Sequence, residues 1–132
     1  DAHGNIIEQK EFNKAGLKMK WEKFSYNSNN DEIAWSELDT TGNVIKSSQT
    51  EYDKWNEISV KTNFDSKGAV TEKIIYTYDA SNNLTKEETQ DGAGKITKRA
   101  VYEYDNKGMV LSKKIYNSNQ ELIYSRVNVY TY

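Results

Sequence analysis

The sequence predicts an all-β protein: an antiparallel meander of about ten strands, forming a single curved or coiling sheet. Three observations support this prediction. A tyrosine recurs at a constant interval, two turn motifs divide each interval into a shorter and a longer unit, and apolar and polar residues alternate between the turns, as in strands. Tandem repeats at a fixed period are typical of stacked structural units. The recurring tyrosines are Tyr26, Tyr52, Tyr78, Tyr104 and Tyr130.

Each unit begins with a turn motif, in which Asp or Asn is followed three residues later by Gly or Asn. The first side chain accepts a hydrogen bond from the backbone two residues on, and the last residue tolerates a positive φ. Asn follows Gly in this tolerance, and Gln120 is the exception at this position. Five turns begin directly after the tyrosine position and five lie midway between: Asp1, Asn27, Asp53, Asp79, Asp105 and Asn13, Asp39, Asp65, Asp91, Asn117.

These motifs make the chain a single array of hairpin repeats without a linker between them. We expect it to be either part of a longer array or trimmed after a removed leader, because the tyrosine that would precede Asp1 is missing. The repeats are residues 1–26, 27–52, 53–78, 79–104 and 105–132.

Turn chemistry also predicts the register of the strands. A type I turn followed by a left-handed residue pairs the opening Asp with the residue after Gly, and the next two residues then face each other. An aromatic opposite an aliphatic side chain is a favourable cross-strand pair, so we expect all seven pairs on one face. They are Leu38–Val44, Phe64–Val70, Gln90–Ile96, Tyr116–Leu122, Tyr52–Ile58, Tyr78–Leu84 and Tyr104–Val110.

Simple alternation makes two further predictions. Lys86 and Glu88 should share the tyrosine face, and Glu87 and Arg99 should lie on the opposite face. In the first repeat, Leu17, Met19 and Trp21 are out of phase with Phe24 and Tyr26, which predicts a bulge near residues 22–23.

Composition excludes several classes of function. The 132 residues carry 18 basic and 20 acidic side chains, a net charge of −2, which provides no basic field for nucleic acid. No apolar run is long enough for membrane insertion of this segment. The absence of Cys excludes disulfides and thiolate sites, and the absence of Pro suits continuous strands. Ten Tyr and three Trp indicate a folded chain in spite of a mean hydropathy of −0.94.

No catalytic constellation is evident, so the sequence predicts a non-enzymatic protein with no cofactor and no metal. His3 is the only imidazole, and no nucleophile and acid accompany it at a fixed spacing. Glu87, Glu88 and Asp91 stand among lysines, as expected of a solvated charged ladder. Calcium requires six to eight converging oxygens, whereas each turn carries one Asp or Asn that the turn itself uses.

The aromatic residues form the candidate ligand-binding surface. Equivalent residues of successive repeats lie two strands apart on one face, about 10 Å, so the tyrosines should form a ladder able to stack on sugar rings or grip an extended peptide. Alternatively, they cover aliphatic neighbours. Trp55 lies in a turn, and we expect Trp21 and Trp35 to cluster on one face, where they either bind or pack against a missing segment. The candidates are Trp21, Trp35, Trp55, Tyr76, Tyr78, Tyr102 and Tyr104.

The motifs resemble a known repeat family. Segments 76–79 and 102–105 have the form Y-x-Y-D, and "DNKG", "DTTGNVI" and "DAHGNII" complete the pattern. The chain is similar throughout to the tyrosine–aspartate (YD, or RHS-like) repeats, in particular those of Bacteroidetes cell-envelope and secreted proteins. The resemblance implies β-hairpin arrays that coil into shells or spirals, a bacterial envelope or extracellular location, and no catalytic residues. It implies a scaffold or recognition surface for carbohydrate or protein partners, or else a structural wall segment or self-associating spacer.

Overall fold

The structure, a computed structural model, describes residues 1–132 and confirms the predicted fold class. Ten antiparallel strands form one open sheet in the order of the sequence, and there is no helix. No helix is therefore available to span a membrane. The strands are β1 Glu8–Phe12, β2 Lys18–Tyr26, β3 Glu32–Leu38, β4 Val44–Tyr52, β5 Ile58–Asp65, β6 Val70–Tyr78, β7 Leu84–Asp91, β8 Ile96–Tyr104, β9 Val110–Asn117 and β10 Leu122–Val127.

The turns have the predicted chemistry. In the turn at Asp39, Oδ1 accepts hydrogen bonds from the backbone N–H of Thr41 (2.9 Å) and of Asn43 (2.9 Å), and Gly42 N–H bonds back to the Asp39 carbonyl. The left-handed position is occupied by Asn in three turns, as predicted. Gln120, the exception in sequence, adopts the same conformation with a φ of 64°, because the Asn117 turn imposes it. The Asn residues are Asn30 (67°), Asn56 (66°) and Asn82 (63°).

Five of the predicted cross-strand pairs are confirmed by the register: Leu38–Val44, Gln90–Ile96, Tyr116–Leu122, Tyr78–Leu84 and Tyr104–Val110. Phe64–Val70 and Tyr52–Ile58 stay predictions. The pairs do not share one face, however. Tyr78–Leu84 and Tyr104–Val110 lie on the opposite face from Gln90–Ile96, so that part of the prediction is wrong.

A recurrent bulge explains the error. In each described hairpin, the second residue of the strand that follows the turn has no partner on the strand before it. Two residues of the second strand therefore stand opposite one residue of the first, and the residues beyond them change face. In the β6–β7 hairpin, Lys86 pairs with Thr77 and Thr85 is passed over. Glu87 consequently lies opposite Tyr76 on the tyrosine face, and Glu88 lies opposite Arg99 on the other face. The residues passed over include Met19, Ile33, Ile45, Thr85, Thr97, Leu111 and Ile123.

The predicted bulge at residues 22–23 is also wrong. Glu22 and Lys23 are paired without interruption to β1 and to β3. The irregularity falls instead at Met19, the position that the recurrent bulge occupies in the other hairpins. A bulge next to the turn accounts for the change of phase between Leu17 and Phe24.

The sheet divides into two compact units, residues 1–51 with 61–71, and residues 52–60 with 72–132. The apolar core of each is small: Leu38 is buried in the first and Ala100 in the second. The other buried side chains are polar or charged, namely Glu22, Ser48, Thr89 and Ser112. Both faces of a single sheet are exposed to solvent, so few apolar side chains are buried.

The repeat tyrosines have a common structural contact. The hydroxyl of Tyr104 donates to the backbone carbonyl of Leu84 (2.7 Å), the first residue of the neighbouring strand, and Tyr78 donates in the same way to Ile58 (2.9 Å). In every described instance, the acceptor is the residue five positions after the Asp that opens the same repeat. Each of these tyrosines therefore ties the end of its repeat to the beginning of the same repeat; the other two donate to Ile6 (Tyr26) and Val110 (Tyr130).

Candidate functional site

The second unit carries a cleft at its turn edge, between the turns at residues 53–57 and 79–83. We call it the first cleft; its volume is about 640 Å³. It collects Trp55 and two of the candidate tyrosines, together with polar residues of both turns. Its lining is Asp53, Lys54, Trp55, Ser59, Tyr76, Thr77, Tyr78, Asp79, Ala80 and Asn82.

A second cleft of about 660 Å³ lies between the turns at residues 79–83 and 105–109. It copies the first cleft in the following repeat: Tyr102 and Tyr104 replace Tyr76 and Tyr78, and Ser81 replaces Trp55. The two clefts are thus one site formed by successive repeats, and both are bordered by Asp79. The second lining is Asp79, Ser81, Asn83, Thr85, Tyr102, Glu103, Tyr104, Asp105, Asn106, Lys107 and Gly108.

Trp55 is the most exposed aromatic surface in the first cleft. Asp53 Oδ1 accepts hydrogen bonds from the backbone N–H of Trp55 (2.8 Å) and of Glu57 (3.0 Å), which fixes the turn. The indole is 65% exposed, and the ammonium of Lys54 lies 5.0 Å from the ring centroid. A flat, exposed ring beside carboxylate and amide groups can stack on an amphipathic ligand.

The candidate tyrosines contribute the strand side of the clefts. The hydroxyls of Tyr78 and Tyr104 are bonded to backbone carbonyls, and that of Tyr102 donates to Glu87 Oε2 (2.8 Å). Burial raises the pKa of Tyr76, Tyr78, Tyr102 and Tyr104, and nearby carboxylates add to the effect. These phenols are neutral, and the hydroxyls of Tyr78, Tyr102 and Tyr104 are already bonded within the sheet, so those three side chains shape the clefts rather than offer a hydroxyl to a ligand.

The turn aspartates give both clefts an acidic character. Hydrogen bonds from Asn83 hold the pKa of Asp79 below its ordinary value, and the Tyr132 hydroxyl does the same for the pKa of Asp105. These groups are therefore ionised acceptors. The first cleft has Asp53 and Asp79 against Lys54, a formal charge of −1; the second has Asp79, Glu103 and Asp105 against Lys107, a formal charge of −2.

The turn at residues 105–109, equivalent to the turns at 53–57 and 79–83, is in contact with the aromatic ring of Tyr132. Tyr132 donates its hydroxyl to the carboxylate of Asp105, and the ammonium of Lys107 lies 3.3 Å from its ring centroid. Tyr130 flanks it, with ring centroids 6.3 Å apart. Lys107 is the third residue of its turn, the position occupied by Trp55 in the first cleft and by Ser81 in the second. The turn carboxylate can therefore accept a hydroxyl from a six-membered ring beside it.

Trp21 and Trp35 belong to the first unit and do not form the predicted cluster. Trp21 pairs with Lys10, whereas Trp35 pairs with Phe24. Since β2 alternates without interruption between residues 21 and 24, the two indoles lie on opposite faces. The shared face was predicted from a bulge that does not exist.

Each of these indoles is engaged locally. Trp21 Nε1 donates to Glu8 Oε1 (2.6 Å), and Lys18 lies 3.8 Å from its ring centroid. Trp35 Nε1 donates to Glu22 Oε1 (3.0 Å). Lys20 and, after it, Trp35 keep the pKa of Glu22 below its ordinary value. Both indoles are half-buried and donate to a carboxylate, whereas the Trp55 ring is exposed.

The carboxylates considered for catalysis do not converge. Glu87 faces Tyr102 on one face, while Glu88 on the other face lies 3.5 Å from Arg99 Nε and 3.8 Å from Lys86 Nζ. His3 is exposed in the first turn, where its backbone N–H bonds to Asp1. No three His, Asp or Glu side chains come together as a metal site would require. Two carboxylates separated by a sheet cannot act on the same bond.

Sequence reasoning identified the aromatic members of the clefts but missed the polar ones: Asp53, Lys54, Ser81, Asn83, Glu103 and Lys107. The repeat itself could have identified them. Moving from Trp55 by one full repeat leads to Ser81, and by two to Lys107, and hence to the equivalent places in neighbouring turns.

Comparisons with known proteins identify similar folds only. No family model and no curated protein matches the chain. A DUF3836 family protein from Bacteroides vulgatus is 22% identical over 60% of this chain and 89% of that one, with a TM-score of 0.45. A protein of unknown function from Bacteroides fragilis is 12% identical over 96% and 95%, with a TM-score of 0.49. S. aureus TarM in complex with fondaparinux is 15% identical over 88% of this chain and 21% of that one, with a TM-score of 0.36. With every TM-score below 0.5, these likenesses assign no function.

Proposed function

We propose that this chain is a non-enzymatic recognition segment of a bacterial cell-envelope or secreted protein, of the YD or RHS-like repeat type. It binds carbohydrate or peptide at its turn edge. The observation that carries the proposal is the exposed indole of Trp55 in a cleft whose plan recurs in the next repeat. An exposed aromatic side chain bordered by polar groups is typical of an interaction site.

Binding to a panel of polysaccharides and peptides tests this proposal. In a Trp21→Phe, Trp35→Phe background, Trp55 is the sole indole, so its fluorescence reports on the first cleft. We expect a ligand to shift that emission. Trp55→Ala in the original chain should weaken binding roughly two- to tenfold, since an aromatic contact is worth about 0.5–1.5 kcal/mol.

Tyr124→Ala is the matched control, because Tyr124 is an exposed aromatic residue outside both clefts. It should bind like the unsubstituted protein. Unchanged affinity on Trp55→Ala, or no binding to any member of the panel, would contradict the proposal.

A structural role as a wall segment or self-associating spacer is the second candidate. Two observations favour it: a tyrosine hydroxyl braces the two strands of a repeat in the same way in successive repeats, and β10 exposes Leu122, Ile123 and Val127. An unpaired strand with exposed apolar residues can pair with another chain. Light scattering over a concentration series would show mass increasing with concentration, whereas a constant monomer mass argues against this role.

A further inference from the structure

We infer that the first and second clefts are successive subsites for one neutral, hydroxyl-rich glycan chain that runs across the strands along the turn edge. This inference rests on the proposed function, and it adds the ligand class, the direction of the chain and the number of units engaged. Trp55 is the stacking anchor, and the turn aspartates accept hydroxyl hydrogen bonds.

The geometry of the repeat sets the direction. Equivalent residues of the two clefts are separated by two strands, about 10 Å, and the turn at Asp79 borders both clefts. A ligand leaving the first cleft across this turn enters the second without a gap. A polymer with a regular repeat can therefore contact both, whereas a single ring can contact only one.

Tyr132 shows which group these turns accept. Its six-membered ring places a hydroxyl against the carboxylate of Asp105 and its face against the third residue of that turn, Lys107. In the first cleft, the corresponding residues are Asp53 and Trp55. A pyranose offers a hydroxyl to the aspartate in the same way, and the C–H bonds of its face pack on the indole of Trp55 in place of the contact between Lys107 and the phenol ring.

The charges favour a neutral ligand over an anionic one. The formal charges of −1 and −2 derived above for the two clefts would repel uronic acids or sulfated sugars. A peptide is disfavoured for a different reason. Recognition by strand addition needs unpaired backbone groups, but the turn aspartates already accept the N–H groups of Trp55, Glu57, Ser81 and Asn83.

The two subsites differ at one position. Ser81 stands in the second cleft where Trp55 stands in the first, so the second cleft has hydrogen-bonding groups but no equivalent stacking ring. In both turns the backbone N–H of this third residue bonds to the opening aspartate, at 2.8 Å. The turn chemistry is therefore the same, and Ser81→Trp should copy the anchor to the second cleft without disturbing the backbone.

Calorimetry with neutral β-linked gluco-, xylo- and manno-oligosaccharides of two, four and six units tests the inference, with oligogalacturonides of matched length and the peptide Val-Tyr-Thr-Tyr as alternatives. Two linked contacts gain affinity from their high effective concentration. At least one neutral series should therefore bind roughly tenfold more tightly at four units than at two. Ser81→Trp should raise the affinity for four units by about tenfold, but that for two units only about twofold, since it duplicates a single site.

Binding of galacturonides or of the peptide in preference to all neutral series, with loss on Trp55→Ala, would overturn the inference and leave the recognition role intact. Neutral binding that does not depend on length, or does not respond to Ser81→Trp, would overturn the two-subsite arrangement. No binding by any probe would contradict both.

Discussion

Asp39 shows how much of a turn depends on a single carboxylate. Its oxygens accept hydrogen bonds from the backbone and side chain of Thr41 and from the backbone of Asn43, so two backbone donors of an exposed turn are satisfied locally. The Thr41 hydroxyl bond, followed by the Asn43 N–H, lowers the pKa of Asp39 from 3.8 to about 2. The turn therefore prefers the ionised form.

This preference predicts a pH dependence for the stability of the chain. A folded pKa below the unfolded value gives a stabilisation that is present above pH 3.8 and is lost as the pH falls through about 2. Asn at this position keeps the turn, as Asn13 does, but does not titrate. The difference in unfolding free energy between the protein and its Asp39→Asn variant should therefore be constant above pH 4 and shrink below it. Urea denaturation across this range measures the difference, and parallel curves for the two proteins would refute the prediction.

Gln120 is an exposed residue held in the left-handed region at a φ of 64°. A side chain with a Cβ is strained there by about 1–2 kcal/mol, whereas glycine is not. Gln120→Gly should raise the free energy of unfolding by about 0.5–1 kcal/mol, after the entropic cost of glycine is subtracted. Urea unfolding tests this change.

The reverse substitution is its matched control. Gly94 has a φ of 83°, and a Cβ added there would meet no neighbouring atom, so Gly94→Gln should lower the stability by a similar amount through backbone strain alone. Effects of the same sign in the two variants would contradict the account.

At the level of the element, the two strands of a repeat are joined by a contact from side chain to main chain as well as by the hydrogen bonds of the sheet. Tyr78 spans from the end of β6 to the carbonyl of Ile58 at the start of β5. Burial and then the charge of Glu57 raise the pKa of its phenol, which keeps the hydroxyl protonated as a donor. This contact explains why the tyrosine recurs once per repeat and not once per strand.

Removing that hydroxyl tests the contact. Tyr78→Phe should lower the free energy of unfolding by about 0.5–1.5 kcal/mol, the usual net value of one hydrogen bond. Tyr124→Phe, at an exposed position on β10, should cause little change. Urea unfolding with equal losses in the two variants would show that the Ile58 contact does not stabilise the fold.

The turns and the strand register could be predicted from the sequence, but the face on which each side chain lies could not. Turns and registers were predictable because their determinants, such as Asp39 with Gly42, lie within a few residues of each other. The faces were not, because the bulge at residues such as Thr85 follows from backbone geometry beside the turn and leaves no mark in side-chain type. Overlooking that extra residue placed Glu87 and Glu88 on the wrong faces. The bulge expected at residues 22–23 instead brought Trp21 and Trp35 together in error.

At the scale of the whole molecule, the clefts could be predicted only in part. Trp55 was identifiable as exposed because its turn leaves little room for packing. Its partners in the first cleft come from the equivalent turn of the next repeat and include Ala80 and Asn82. Which turns adjoin at the edge depends on the strand order, so a search along one turn could not find the site that two turns form.

The scarcity of buried apolar side chains, with Leu38 and Ala100 as the apolar residues below a tenth exposure, has a thermal consequence. Exposure of apolar surface raises the heat capacity on unfolding and exposure of polar surface lowers it, giving about 12–15 cal/mol/K per residue in ordinary globular domains. A sheet that buries Glu22, Ser48, Thr89 and Ser112 instead falls below that range. Its stability curve is therefore broad and shallow, and cooling weakens it less than it would weaken a domain with a thick hydrocarbon interior.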